Sequence, residues 1–149
     1  MATIPLPSDF SEFLRLLNER EVKYLLIGGY AVGYHGYVRA TADMDVWIRR
    51  DRENAVRVVQ VLKEFGFGVS DLKPELFLSE QRIVRMGVPP MRIEILTSVS
   101  GVEFDECYAS RIEERWDDVA VNIISLEKLK ANKRASGRLK DLSDLDHLE

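Results

Sequence analysis

Little in this sequence could staple, anchor or electrostatically coat a protein. Cysteine occurs once in 149 residues, at Cys107. One thiol cannot close an internal disulfide, so a packed core must hold the chain together, and a reducing cytoplasm suits it. We assign Cys107 to packing. An excess of positive charge is also missing: 21 Lys and Arg face 25 Asp and Glu, a net charge of -4. That excludes the broadly basic surface of a non-specific nucleic-acid binder, though not a local basic patch. No apolar run approaches the roughly 20 residues of a membrane-spanning helix, so no span is expected. Met1 to Pro7 contains no basic residue, and Asp9, Glu12 and Arg15 interrupt the next segment, unlike a targeting sequence. Repeats, low-complexity tracts and linker-like stretches are absent from the sequence, which predicts one domain over residues 1–149.

The composition is 46% hydrophobic and 31% charged, as in globular proteins that bury a core of their own. Helical spacing of Phe10, Phe13, Leu14, Leu16 and Leu17 predicts a first helix, with Ser8 or Asp9 as its cap. Lys23 to Ile27 reads as a buried strand and Tyr30 to Tyr37 as a short helix weakened by Gly33 and Gly36. Asp43 to Ile48 is a second strand. Asp51 caps a long helix, with Val56, Val59, Leu62 and Phe65 inward and Gly66 as its stop. Pro74 permits a short helix. Gln81–Met86 and Met91–Leu96 read as antiparallel strands around residues 87–90. Phe104 to Ser110 is readable as helix or strand, and Val119 to Ile124 as a strand. Ser125 caps a helical tail that Gly137 splits, with Leu139, Leu142 and Leu145 turned to the core. The order predicts an α+β (mixed α/β) fold, a mixed sheet flanked by helices.

Two short motifs carry the chemistry. Gly28-Gly29 closes the first strand. Glycines there permit a tight turn, or let backbone N–H groups approach a phosphate. Tyr30 occupies the third glycine position of a dinucleotide-binding fingerprint, and no Gly-Lys-Ser/Thr comes after it, so neither common phosphate loop fits. The second motif is Asp43-Met44-Asp45. Alternate residues of a strand share a face, so Asp43 and Asp45 point one way and Met44, Val46 and Ile48 the other. Two adjacent carboxylates repel. They suit either a solvated strand end or a hard cation. Glu94, between Ile93 and Ile95, is a third acid in a short apolar strand, either paired with Arg92 on a polar face or a further metal ligand.

Together, Gly28-Gly29, Asp43-x-Asp45 and Glu94 resemble the nucleotidyltransferase superfamily that includes DNA polymerase beta. The segment from Gly28 to Asp45, with Arg39 just ahead of the acids, is similar to small prokaryotic nucleotidyltransferases, abortive-infection and toxin–antitoxin members among them. Arg138-x-Lys140-Asp141-x-x-Asp144 resembles a C-terminal motif of the same group. The resemblance implies a nucleotidyltransferase fold and transfer of a nucleotide monophosphate from an NTP, expected to be ATP, to a hydroxyl. It implies that Asp43, Asp45 and Glu94 hold two Mg2+ or Mn2+ ions and are catalytic. Glu94 stands where aspartate is more usual. Gly28, Gly29, Arg39, Thr41 and Lys140 are the implied nucleotide contacts, with Arg138, Asp141 and Asp144 in support. Arg39 can meet a phosphate or pair with Asp43, and Lys140 can serve as phosphate clamp or as part of a solvated face. Lys130, Arg134 and Arg138 would share that face if the helix ran through Gly137. His35 is expected to be a structural hydrogen-bonder. The acceptor is left open between a small molecule, a tRNA end and a protein hydroxyl, as is a homodimer or protein partner. An alternative expectation is a weak or inactive module of this fold, acting as a nucleotide-binding, regulatory or antitoxin-like partner.

Overall fold

The computed structural model describes residues 7–38, 43–67, 71–87 and 92–148. The expected residues Arg39 and Thr41, and most of the turn between the two middle strands, lie outside this set. Among the described residues, six strands form one mixed sheet: β1 Tyr24–Ile27, β2 Asp43–Ile48, β3 Ile83–Met86, β4 Arg92–Leu96, β5 Ile112–Trp116 and β6 Val119–Ile123. Their spatial order is β3-β4-β2-β1-β6-β5. β2 runs antiparallel to β1 and parallel to β4, and β3 and β4 form the expected antiparallel pair. The helices are α1 Ser8–Glu19, α2 Gly28–Tyr34, α3 Arg52–Phe65, α4 Phe104–Ala109, α5 Leu126–Ser136 and α6 Leu139–His147, with a 3-10 turn at Pro74–Phe77.

Several local signals act as expected. Asp51 caps α3 by accepting from the Asn54 N–H, and Gly66 ends it in the left-handed conformation. Ser125 caps α5 by accepting from the Lys128 N–H, and Gly137 ends it at φ 66°. Met44, Val46 and Ile48 are buried, as are the five apolar residues expected on α1.

Other expectations are corrected. Ser8 and Asp9 lie inside the first turn of α1, whose N-cap position is Pro7. Gly28 and Gly29 do not precede a helix at Tyr30; they are its first turn. On α3, Val59 and Leu62 are buried as expected, but Val56 is exposed and Phe65 half-buried, and Ala55, Val58 and Val61 complete the inner face. β5 was not expected. It pairs with β6 through a two-residue turn in which Asp117 and Asp118 both take positive φ, at 51° and 64°. Such turns match the twist of a hairpin, and aspartate tolerates that backbone better than most residues.

The largest reversal is in α6. Leu139 is 86% exposed and Leu142 also faces outward, whereas Asp141 and Asp144 are buried. Leu145 is half-buried. Because Gly137 breaks the helix, Lys130, Arg134 and Arg138 share no continuous face, and Arg138 becomes the N-cap residue of α6.

Candidate active site

The alternation of β2 decides the site. Its even residues, Met44, Val46 and Ile48, sit on the same side as Tyr24 and Leu26 of β1. The Tyr24 hydroxyl donates toward Asn18 of α1 on that side. The odd residues, Asp43, Asp45 and Trp47, face the other way. Register then adds partners to the odd face: Arg92 lies opposite Asp43 and Glu94 opposite Asp45 on β4, and Arg85 on β3 lies opposite Glu94. Three carboxylates and two guanidiniums from three strands thus form one polar patch.

The Arg92–Glu94 pair, one of the two readings open for Glu94, is present only as a long contact, and both groups have shorter partners. Arg92 grips Asp43 with two hydrogen bonds, Nε to Oδ1 at 3.1 Å and Nη2 to Oδ2 at 2.9 Å. Its Nε is 4.0 Å from Glu94 Oε2. Glu94 accepts instead from Arg85 Nε at 2.5 Å. The signal for Arg92 was its alternation with Glu94, but cross-strand neighbours lie closer than residues two apart on one strand.

Asp45 is the exception within the patch. Its Oδ1 is buried with no hydrogen-bond partner among the described residues. Burial pushes its carboxyl up to about 7, and the Glu94 and Asp43 carboxylates add to this against an opposing pull from Lys140. Gly28 makes room for it: at φ 69°, any Cβ on Gly28 would collide with Asp45 Oδ2. Gly28 therefore accommodates a carboxylate, a role its sequence context did not disclose.

A cleft of ≈ 360 Å³ opens beside Asp45. Gly28, Gly29 and Asp45 form one wall, and Lys133, Ser136, Arg138, Lys140 and Asp141 the other. Asn132 ties the second wall to the loop after β4 by donating to the Ser100 carbonyl at 2.9 Å. Asp43 and Glu94 lie beside Asp45 on the sheet, outside the cleft lining. Asp144 lies behind the cleft and does not line it.

Behind that wall Asp141 and Asp144, expected in support of the tail's cations, close a buried charged cluster around Lys133. Lys133 Nζ lies 2.9 Å from Asp141 Oδ1 and 3.1 Å from Asp144 Oδ2, and all three side chains are nearly inaccessible. Arg138 Nε donates to Asp141 Oδ2 at 2.9 Å, and the Ser136 hydroxyl donates to the same oxygen. Burial alone would raise the Asp141 carboxyl; the donated bonds from Ser136, Lys133 and Arg138 outweigh it and hold the group at about 2. A lysine with acids eight and eleven residues later spans a helix break, so no single helical period reveals it. His35 has the structural role expected, its Nε2 donating to the Ile124 carbonyl at 2.8 Å.

A second cleft, of ≈ 440 Å³, adjoins the first and shares Ser98 and Val99 with it. Trp47 and Phe104, in edge-to-face contact at 5.1 Å, contribute apolar lining, and the acids Asp51, Glu80, Glu103 and Asp105 share it with Arg49 and Arg50, which pair with Asp51, Asp105 and Glu80.

The sheet thus carries Asp43, Asp45 and Glu94 on one face, and the cleft beside Asp45 brings together Gly28, Gly29, Arg138 and Lys140. Comparison with family models matches residues 9–147 to the aminoglycoside-2''-adenylyltransferase family. The chain belongs to that family. Membership makes it a nucleotidyltransferase by kind, with a nucleotide as substrate. The adenylyltransferase match embraces both walls of the cleft, from the glycine pair through α6. Comparison with curated proteins returns no match. No helix among the described residues is long and apolar enough to cross a membrane.

Proposed function

We propose that this chain transfers the AMP group of ATP to a hydroxyl of a small polar acceptor of the aminoglycoside class. The observation that carries the reading is the convergence of Gly28, Gly29, Asp45, Arg138 and Lys140 on one cleft. A metal–triphosphate needs carboxylates for the metal and cations for the phosphate oxygens, and this cleft presents both kinds on opposite walls.

In this reading the acceptor oxygen bonds to the α-phosphorus as the bond from that phosphorus to the β-phosphate bridging oxygen breaks. Pyrophosphate leaves with the electron pair, and the hydroxyl proton passes to Glu94. Lys140 and Arg138 meet the phosphate oxygens, Gly28 and Gly29 keep side chains out of their way, and the buried cluster around Lys133 fixes the helix start that carries both cations.

Asp43, Asp45 and Glu94 suit Mg2+ or Mn2+ in donor chemistry. All are hard oxygen ligands on one sheet face, and the orphaned Asp45 Oδ1 is an acceptor that burial alone makes costly. Among the described residues no three acidic, His or Cys side chains already converge as a metal cage. Bound ions, two in the full reading, would neutralise triphosphate charge and polarise the reacting oxygens. The neighbouring cleft, with the Trp47–Phe104 pair and side chains of both charges, offers apolar and polar contacts to an acceptor sugar. The lone buried cysteine suits a reducing cytoplasm.

The test is transfer from α-labelled ATP to a panel of aminoglycosides with Mg2+, measured as labelled product and released pyrophosphate. Unchanged transfer by the doubly substituted Asp43→Asn, Asp45→Asn protein would sink the reading.

A second reading rests on the arginines. With Asp43 and Glu94 each bonded to a guanidinium, the site also suits a regulatory module that binds nucleotide without turnover. Nucleotide-dependent stabilisation with no pyrophosphate from any acceptor would favour it.

A further inference from the structure

The outer two carboxylates of the patch each hold a guanidinium, and the middle one, Asp45, has an oxygen that meets no donor among the described residues. We propose that Arg85 and Arg92 are built-in counter-ions that keep the carboxylate face in a metal-free resting form and that a divalent cation displaces them. The inference rests on the metal-dependent reading above and concerns how that site is held before metal arrives.

Three observations carry it. First, both arginines come from the sheet itself, set by strand register opposite the acids they hold, so they are present whenever the sheet is folded. Second, the two guanidiniums go to Asp43 and Glu94, whereas the buried Asp45 Oδ1 accepts from no donor among the described residues. Placed among three carboxylates, a divalent ion presents two charges at one point, whereas each guanidinium brings one charge and neither donates to Asp45 Oδ1. Third, the exchange needs no rearrangement of the fold. The Arg85 side chain is 56% exposed and that of Arg92 32%, whereas Glu94 is only 14% exposed. Long, partly hydrated side chains can swing into water while the acids stay in place.

Removing a guanidinium should therefore tighten metal binding. The measurement is Mn2+ binding to the whole chain, by paramagnetic-resonance titration, with thermal melting across a Mg2+ series. Arg85→Met and Arg92→Met should each bind Mn2+ roughly three- to tenfold more tightly than the unaltered chain, as expected for loss of one partly exposed competing ion pair. Both should melt lower without metal and recover further as Mg2+ is added. Arg85→Lys and Arg92→Lys, which keep the charge, should stay closer to the unaltered chain and guard against a folding defect in the methionine variants. Asp45→Asn should abolish the tight Mn2+ binding.

Methionine variants that bind Mn2+ no more tightly than the unaltered chain would overturn the exchange while leaving the metal reading intact. Tight binding that survives Asp45→Asn would put the ion elsewhere and overturn it too. An unaltered chain that binds no Mn2+, even with a non-hydrolysable ATP analogue, removes the metal reading and this inference with it.

Discussion

Two charged clusters face each other across one cleft, and they are satisfied to different degrees. Behind the helical wall, Lys133 is enclosed by Asp141 and Asp144, while Ser136 and Arg138 complete the bonding of Asp141. On the sheet wall, Arg92 holds Asp43 and Arg85 holds Glu94, and a buried oxygen of Asp45 has no partner among the described residues. A fully paired buried cluster acts as structure; an underpaired one stores unfavourable free energy that a ligand can release. The two walls also respond oppositely to pH. The Asp141 carboxyl is held down at about 2, so its contribution is present above the ordinary carboxylate range and fades as pH falls from about 4 toward 2. The Asp45 carboxyl is raised to about 7, so the metal-free fold loses stability as pH climbs from about 4 to 7.

The sharpest way to break this contrast is to cut the satisfied cluster. Lys133→Met leaves Asp141 and Asp144 buried without their shared cation and should cost about 3–5 kcal/mol, read by urea denaturation at pH 7. A change within the range of a surface substitution would show that the cluster is not structural.

Asp45→Asn tests the other wall. Transfer should fall by roughly 100-fold or more, a typical loss when a preorganised charge-stabilising group is removed. Stability of the metal-free protein at pH 7 should rise instead, by as much as about 3 kcal/mol, with a flatter pH profile between about 4 and 7. A variant less stable than the parent at pH 7 would contradict the strain ascribed to Asp45.

Gly28→Ala joins the two effects at one position. Its Cβ collides with Asp45, and its backbone sits at φ 69°, which should destabilise by about 1–3 kcal/mol and impair transfer. Parallel melting curves and rate measurements would register both. Lys140→Ala should have the smallest effect: exposed on the cleft rim, it should raise the KM for ATP by roughly three- to tenfold and leave kcat nearly unchanged. A loss confined to kcat would move Lys140 from binding to chemistry.

The fold and the site were legible to different depths. The periods of α1 and β2 and the caps Asp51, Ser125 and Gly137 were readable because each acts within a few residues. β5 escaped because Ile112-Glu-Glu-Arg-Trp116 has weak alternation, and its strand state depends on pairing with β6 through the Asp117–Asp118 turn. Arg85 escaped because a four-residue turn over residues 87–90 would put Ile83 opposite Glu94; the register formed puts Arg85 there. In α6 the leucines looked like the core face, since apolar residues ordinarily turn inward. A buried lysine on the neighbouring helix overrode that tendency, because an uncompensated charge inside a protein costs more than exposing two leucines.

The sequence by itself determined that Asp43 and Asp45 share a face, that Met44, Val46 and Ile48 back them, and that Gly28-Gly29 stands nearby in the chain. Those are consequences of backbone geometry over a few residues. Only the tertiary structure decided that Gly28 makes room for Asp45, that Arg85 and Arg92 hold the outer acids, and that Asp141 and Asp144 turn inward to Lys133. These depend on strand register and helix rotation, which are set by charge pairing and close packing between residues far apart in sequence.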